Sequence, residues 1–184
     1  MHKDIEKILV SEDQIISKCK ELGKQISKDY EGKLPICVGL LKGSVPFLAE
    51  LIKNITTDIE IDFMDVSSYS GTEQVDVRII KDLETPIRDK EVLIVEDIVD
   101  TGKTYEKVKE LLLAKGAKNV KIITLLDKKE RREVNVTPDY AGFVIPDEFV
   151  IGFGLDYNEK YRNLPYIGVI KKSAIVWEEI KNEK

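Results

Sequence analysis

Apolar positions along this chain recur at two periods, and the two alternate. Ile15, Cys19, Leu22 and Ile26 fall three or four residues apart, which predicts an amphipathic helix from about Glu12 to Tyr30, with Gly32 following as its stop. Pro35–Leu41 is a short unbroken apolar run, as expected of a strand covered on both faces. A helix over Val45–Ile55 follows, with Ser44 placed to cap it and Pro46 tolerated in its first turn. Asp58–Val66 sets Ile59, Ile61 and Phe63 against acids with the period of a strand. Further strands are expected over Val75–Lys81, Glu91–Ile98 and Asn119–Leu126, with a helix from Lys103 to Lys115 between the last two. Alternation at this pitch predicts an α/β fold with a mostly parallel sheet flanked by helices. The last third changes character. Short strands near Tyr140–Ile145, Phe149–Phe153 and Tyr166–Ile170, then a helix near Ala174–Ile180, suggest an appended lobe too short to stand alone.

The chain has 184 residues and shows no repeat and no Pro/Gly-rich linker, so a single domain over 1–184 is expected. A formal charge of −5 argues against nucleic acid or an anionic membrane as partner, since both attract a basic surface. Apolar runs stop far short of the roughly 20 residues a bilayer span needs. The first residues, MHKDIEKILVSEDQ, lack the apolar centre of a secretion signal. Cys19 and Cys37 have no metal-binding spacing and read as buried thiols, pointing to the cytoplasm.

The strongest chemical signal is Val92–Thr104, VLIVEDIVDTGKT. A buried strand delivers Glu96 and Asp97 to its carboxyl end, where open parallel sheets bind ligands. Asp100–Thr104 then opens a helix, so free backbone N–H groups, the Thr101 and Thr104 hydroxyls and Lys103 form a cradle sized for one phosphate. Acids beside a phosphate cradle make sense where they hold ribose hydroxyls or Mg²⁺. A nucleotide-binding P-loop is disfavoured, because Asp97 stands where that motif needs its first glycine. On residue type alone, Glu96 and Asp97 also read as a solvated strand end and Asp100 as a helix cap.

This run resembles the phosphoribosyl-diphosphate motif of the type I phosphoribosyltransferases, in the form of their hypoxanthine-guanine branch. LKGS (Leu41–Ser44) resembles that branch's pyrophosphate loop, SSY (Ser67–Tyr69) its mobile active-site loop and LLDKK (Leu125–Lys129) its purine-contact strand. Ile145–Leu164, IPDEFVIGFGLDYNEKYRNL, resembles the base-binding hood and is the most specific segment. Together they cover about Leu34 to Ile170. The resemblance implies a type I phosphoribosyltransferase-like fold whose hood comes mainly from about 140–184, with a contribution from the N-terminus. It implies purine salvage: hypoxanthine or guanine and phosphoribosyl diphosphate give IMP or GMP and pyrophosphate.

Roles implied by the resemblance follow residue by residue. Asp100, Thr101, Gly102, Lys103 and Thr104 anchor the 5′-phosphate. Glu96 and Asp97 hold the ribose hydroxyls and one Mg²⁺, and Asp156 a second. Asp100 is the general base toward the purine's imidazole edge. Leu41, Lys42 and Gly43, with a cis peptide at Lys42, meet the pyrophosphate, as does Arg162. Lys128 donates to the purine 6-oxo group, although Lys129 beside it is an alternative. Phe149 stacks on the base, whereas without the resemblance it reads as core. Val150 and Asp156 line the purine site. Ser68 and Tyr69 lie in a polar loop that is either a connector or a lid. Leu41–Ser44 on its residues alone is a plain strand-to-helix turn. Relatives imply a homodimer or homotetramer. The competing reading is a phosphoribosyltransferase-fold RNA-binding regulator of pyrimidine synthesis, which should be basic and lack the Lys128/Phe149 pocket.

Overall fold

The computed structural model describes residues 1–70 and 75–175, with side chains left aside from 68 to 76. Among the described residues, three α-helices and nine strands form two sheets. Strand β1 (Ile5–Val10) precedes helix α1 (Glu12–Asp29), then come β2 (Ile36–Leu40), α2 (Val45–Ile52), β3 (Glu60–Ser70) and β4 (Val75–Lys81). The second half runs β5 (Glu91–Val99), α3 (Lys103–Ala114), β6 (Asn119–Asp127), β7 (Tyr140–Val144), β8 (Val150–Ile151) and β9 (Ile167–Ile170). The larger sheet has the order β4-β3-β2-β5-β6-β7, parallel throughout except for β4, which turns back against β3.

The unbroken apolar runs have their cause in this sheet. Successive residues of a strand face opposite sides, and both sides are covered. Cys37, Leu93 and Val95 pack with α1 and α2 on one face. Ile36, Val38, Val92 and Ile94 pack with Tyr105, Val108 and Leu112 of α3 on the other. Helix α1 begins as the periodicity predicts, behind a capping box in which Ser11 and Gln14 satisfy each other's backbone N–H.

Three expectations need correction. Ser44 does not cap α2: it is itself in helical conformation, is buried, and its hydroxyl makes no cap bond. Strand β7 is an edge of the main sheet, paired in parallel with β6, so the hood begins later than residue 140. The expected strand at Phe149–Phe153 shrinks to β8, because Gly152, Phe153 and Gly154 all take positive φ and turn the chain away. The expected last helix near Ala174–Ile180 lies outside the described residues, which end at 175 after a 3-10 turn at Lys172–Ala174.

The smaller sheet, in the order β1-β9-β8, is the hood. Its first strand was hidden in the sequence for a physical reason. Irregularities between Ile5 and Lys7 and between Ile8 and Val10 break the period of two that would mark it.

Candidate active site

Strand β5 lies in the middle of the sheet with Val92–Val95 buried, and ends at Glu96, Asp97 and the turn Asp100–Gly102. Gly102 has φ +86 and stands at the N-cap of α3 without a side-chain cap, so the expected capping by Asp100 does not occur. A side chain at position 102 would also meet Arg132 Cδ at 2.9 Å. The turn therefore needs glycine twice over, for its φ and for its close neighbour.

The segment after β6 braces this turn residue by residue. Lys128 N–H donates to the Val99 carbonyl at 3.0 Å and Glu133 N–H to that of Thr101 at 2.9 Å. The Arg132 guanidinium donates to the Asp100 carbonyl at 3.1 Å and pairs with Asp127, which is buried. Arg131 Nε meets the Asp100 carboxylate at 3.0 Å, and Lys103 pairs with Glu133. The first N–H groups of α3, with Thr101 and Thr104 beside them, thus form a turn fixed from below and open toward a ligand.

Glu96 and Asp97 are acids in a drying environment. Burial pushes the Glu96 carboxyl far above its usual range, and the charge of Asp97 adds to this. Burial also lifts Asp97 to about 6, against the opposing hydrogen bond from Ile98 N–H at 2.8 Å and the Arg162 charge. Tyr105 on α3, facing Glu96, has its hydroxyl pushed far up by burial and by that acid. Glu96 Oε2 is buried with no hydrogen-bond partner. Unpaired oxygen donors fit a hard cation such as Mg²⁺. Among the described residues no group of three or more His, Cys, Asp or Glu side chains gathers to hold a metal alone. The donors accordingly fit a cation that arrives with oxygens of its own.

The turn after β2 packs directly against these acids. Its Leu41–Lys42 peptide is cis, as the resemblance implies. A Cβ at Gly43 would sit 1.9 Å from Asp97 Oδ2, and one at Gly154 would sit 1.9 Å from the Gly43 carbonyl oxygen. Two glycines therefore let the turn lie between the end of β5 and the hood. Arg162 closes the arrangement: it donates to the Gly154 carbonyl at 2.8 Å and pairs with Asp156 at 2.9 Å.

Lys128, Phe149 and Val150, the expected purine contacts, lie after β6 and at the start of β8. Lys128 is buried at 7% exposure whereas Lys129 is exposed. Lys128 Nζ lies 3.6 Å from Asp147, which also meets Arg131 at 3.5 Å. Phe149 is 45% exposed, edge-on to Tyr157, and so is not a core residue. Val150 is buried in β8 opposite Val169.

Ser68 and Tyr69 correct the sequence reading. They do not lie in a loop but continue β3, opposite Val77 and Asp76 of β4. Small polar residues read as loop, yet the antiparallel ladder carries them as strand, and the tip at 71–74 lies outside the described residues. Sequence reasoning missed Asp127, Arg131, Arg132, Asp147 and Glu159, whose partners are distant in the chain or of a type common on any surface.

Comparison with known proteins agrees with this geometry. The family model described as "Phosphoribosyl transferase domain" matches residues 7–158. The chain is 59% identical over 173 residues to the hypoxanthine-guanine phosphoribosyltransferase of Lactococcus lactis subsp. lactis, covering 93% of this chain and 94% of that one. A crystal structure of a hypoxanthine phosphoribosyltransferase from Staphylococcus aureus superposes with a TM-score of 0.92 at 51% identity, covering 96% of this chain and 97% of that one. The Trypanosoma cruzi hypoxanthine phosphoribosyltransferase in complex with the product IMP superposes at 0.91 with 36% identity, over 95% and 99% of the two chains. With its mostly parallel sheet and the acids and turn at the end of β5, this chain belongs to the phosphoribosyltransferase family.

Proposed function

We propose that this chain is a purine-salvage enzyme that transfers the phosphoribosyl group from phosphoribosyl diphosphate to hypoxanthine or guanine, giving IMP or GMP and pyrophosphate. The observation that supports the reading is the run Lys128–Glu133, whose backbone and side chains bond the turn at Val99–Thr101 and so link Lys128 to Asp100. The turn at Asp100–Thr104 holds the 5′-phosphate on backbone N–H groups. Glu96 and Asp97 orient the ribose hydroxyls. Leu41, Lys42 and Gly43 receive the pyrophosphate together with Arg162, whose planar fork suits phosphate oxygens. Phe149 stacks on the base, the Val150 backbone and Asp156 line its edge, and Lys128 donates to the 6-oxo group.

In the transfer, a purine nitrogen bonds to C1 of the ribose as the bond from C1 to the pyrophosphate oxygen breaks. Asp100 takes the proton released from the imidazole edge of the base. Ser68 and Tyr69, on the β3–β4 arm, exclude water from the reacting carbon when the arm closes. Glu96 and Asp97 would hold one Mg²⁺ and Asp156 a second, and the metal would supply neutralising charge for the departing pyrophosphate. Burial favours Lys128 over Lys129 as the purine contact, since a desolvated ammonium discriminates more sharply between an oxo and an amino group.

The whole chain works as one unit, in the cytoplasm, as a homodimer or homotetramer. Among the described residues no helix is long and apolar enough to cross a membrane. The RNA-binding alternative is disfavoured by the net charge of −5 and by the presence of both Lys128 and Phe149. Steady-state rates with each base test the reading: turnover with hypoxanthine and guanine, little with adenine, and none without Mg²⁺. Robust adenine turnover would remove the role of Lys128.

A further inference from the structure

One acid in the site has no part in the transfer just described, and its placement is unusual. Glu159 Oε2 accepts from Lys42 Nζ at 3.2 Å and lies 3.3 Å from the Arg162 guanidinium. Lys42 comes from the turn after β2, 117 residues away in sequence, and Arg162 from the hood. Arg162 and the turn Leu41–Gly43 are assigned above to the pyrophosphate, and the Lys42 side chain extends from that turn to the same carboxylate as Arg162. Their shared partner is one carboxylate oxygen, Glu159 Oε2, an anionic acceptor of the kind a phosphate oxygen offers.

Glu159 is held where it is. Its φ is +58 and that of Asn158 is +51, a conformation that side-chain-bearing residues rarely adopt. Its backbone N–H donates to Asp156 Oδ2 at 2.9 Å, which fixes this bend. The two residues form the tip of a hairpin turn closed by Tyr157 and Lys160, whose backbone groups bond each other, and this turn presents Glu159 to Lys42 and Arg162. Folding stability does not account for the ion pairs. Lys42 and Glu159 are each 64% exposed, and exposed ion pairs contribute little to folding.

We propose that Glu159 is an internal stand-in for pyrophosphate: it occupies Lys42 and Arg162 in the empty site, is displaced when the diphosphate binds, and recaptures both cations as pyrophosphate leaves. The proposal rests on the pyrophosphate assignment of Lys42 and Arg162. A diphosphate carries more charge and more acceptor oxygens than one carboxylate, so it wins the exchange, but against a standing competitor. Glu159 thereby weakens binding of phosphoribosyl diphosphate and pyrophosphate alike and assists product release. It touches no reacting atom. It is a residue that sets affinity.

The test is isothermal titration of magnesium pyrophosphate into the wild-type protein, Glu159→Gln and Glu159→Asp. Glutamine keeps the shape and removes the charge, so Glu159→Gln should bind pyrophosphate about two- to tenfold more tightly, the range two exposed ion pairs allow. Its KM for phosphoribosyl diphosphate should fall, and inhibition by pyrophosphate should sharpen, in the same direction. Glu159→Asp, still charged but shorter, should lie between the two. Equal or weaker pyrophosphate binding by Glu159→Gln overturns the proposal while leaving the pyrophosphate site intact. Failure of the wild-type protein to bind pyrophosphate at all overturns the assignment of Lys42 and Arg162, and the proposal with it. IMP carries no pyrophosphate, so its affinity serves as the control, and a parallel gain for IMP also counts against a specific stand-in.

Discussion

The two sides of the site are built differently. On the phosphate side, the turn at Asp100–Gly102 is tied by backbone carbonyls to a segment anchored through Arg132 on the buried Asp127. On the hood side, Lys42, Arg162 and Glu159 meet in ion pairs open to solvent, on backbone with positive φ at Asn158, Glu159 and Tyr161. Backbone groups fixed in advance lose little freedom when a phosphate arrives. Exposed ion pairs exchange partners readily. A phosphate tail common to substrate and nucleotide product can be gripped by a rigid cradle, whereas the pyrophosphate must both bind and leave. The division of labour follows the chemistry of each end.

Substitutions on either side should separate the two. The largest effect is expected for Asp100→Asn, which keeps the shape and loses the proton acceptor: kcat should fall about 10²- to 10⁴-fold in steady-state assays, with much less change in the KM for phosphoribosyl diphosphate. A large loss of binding with turnover intact would move the base elsewhere. Next, Asp127→Ala strands the Arg132 guanidinium and should cost about 3 kcal/mol in denaturant unfolding, while loosening the grip on IMP. An equal loss from Glu159→Gln would erase the contrast between the two sides.

Phe149→Ala should raise the KM for hypoxanthine by the equivalent of about 1–3 kcal/mol and barely alter stability, because the ring is half-exposed. The smallest effect concerns the sheet beneath. Burial pushes the Cys19 and Cys37 thiols up to about 12. An acid whose folded pKa is raised loses protons first in the unfolded chain. These thiols therefore leave stability unchanged below pH 9 and reduce it as pH climbs from about 9 toward 12. Replacing both by alanine should flatten that alkaline decline in thermal melts, and the native thiols should resist alkylation at pH 8 until the sheet unfolds.

Much of this was legible in the sequence, and what escaped did so for identifiable reasons. The run Val92–Thr104 declared strand, acids and turn because a doubly covered strand and a helix-opening turn are local patterns. Strand β1 escaped because its two irregularities scramble the side-chain alternation. Ser68 and Tyr69 were misread because pairing across a hairpin overrides the loop character of small polar residues. Ser44 was misassigned because the tight turn at Leu41–Gly43 already places it in helical conformation. Arg132 and Glu159 could not have been singled out, since their meaning lies in Asp127 and in a lysine from the far end of the chain.

Where a nucleotide sits tests the division of the site most directly. A crystal structure with IMP should place its monophosphate on the backbone N–H groups at Thr101–Thr104, its ribose hydroxyls toward Glu96 and Asp97, and its base between Phe149 and Lys128. A monophosphate bound against Lys42 and Arg162 instead, with the turn at Gly102 empty, would contradict it.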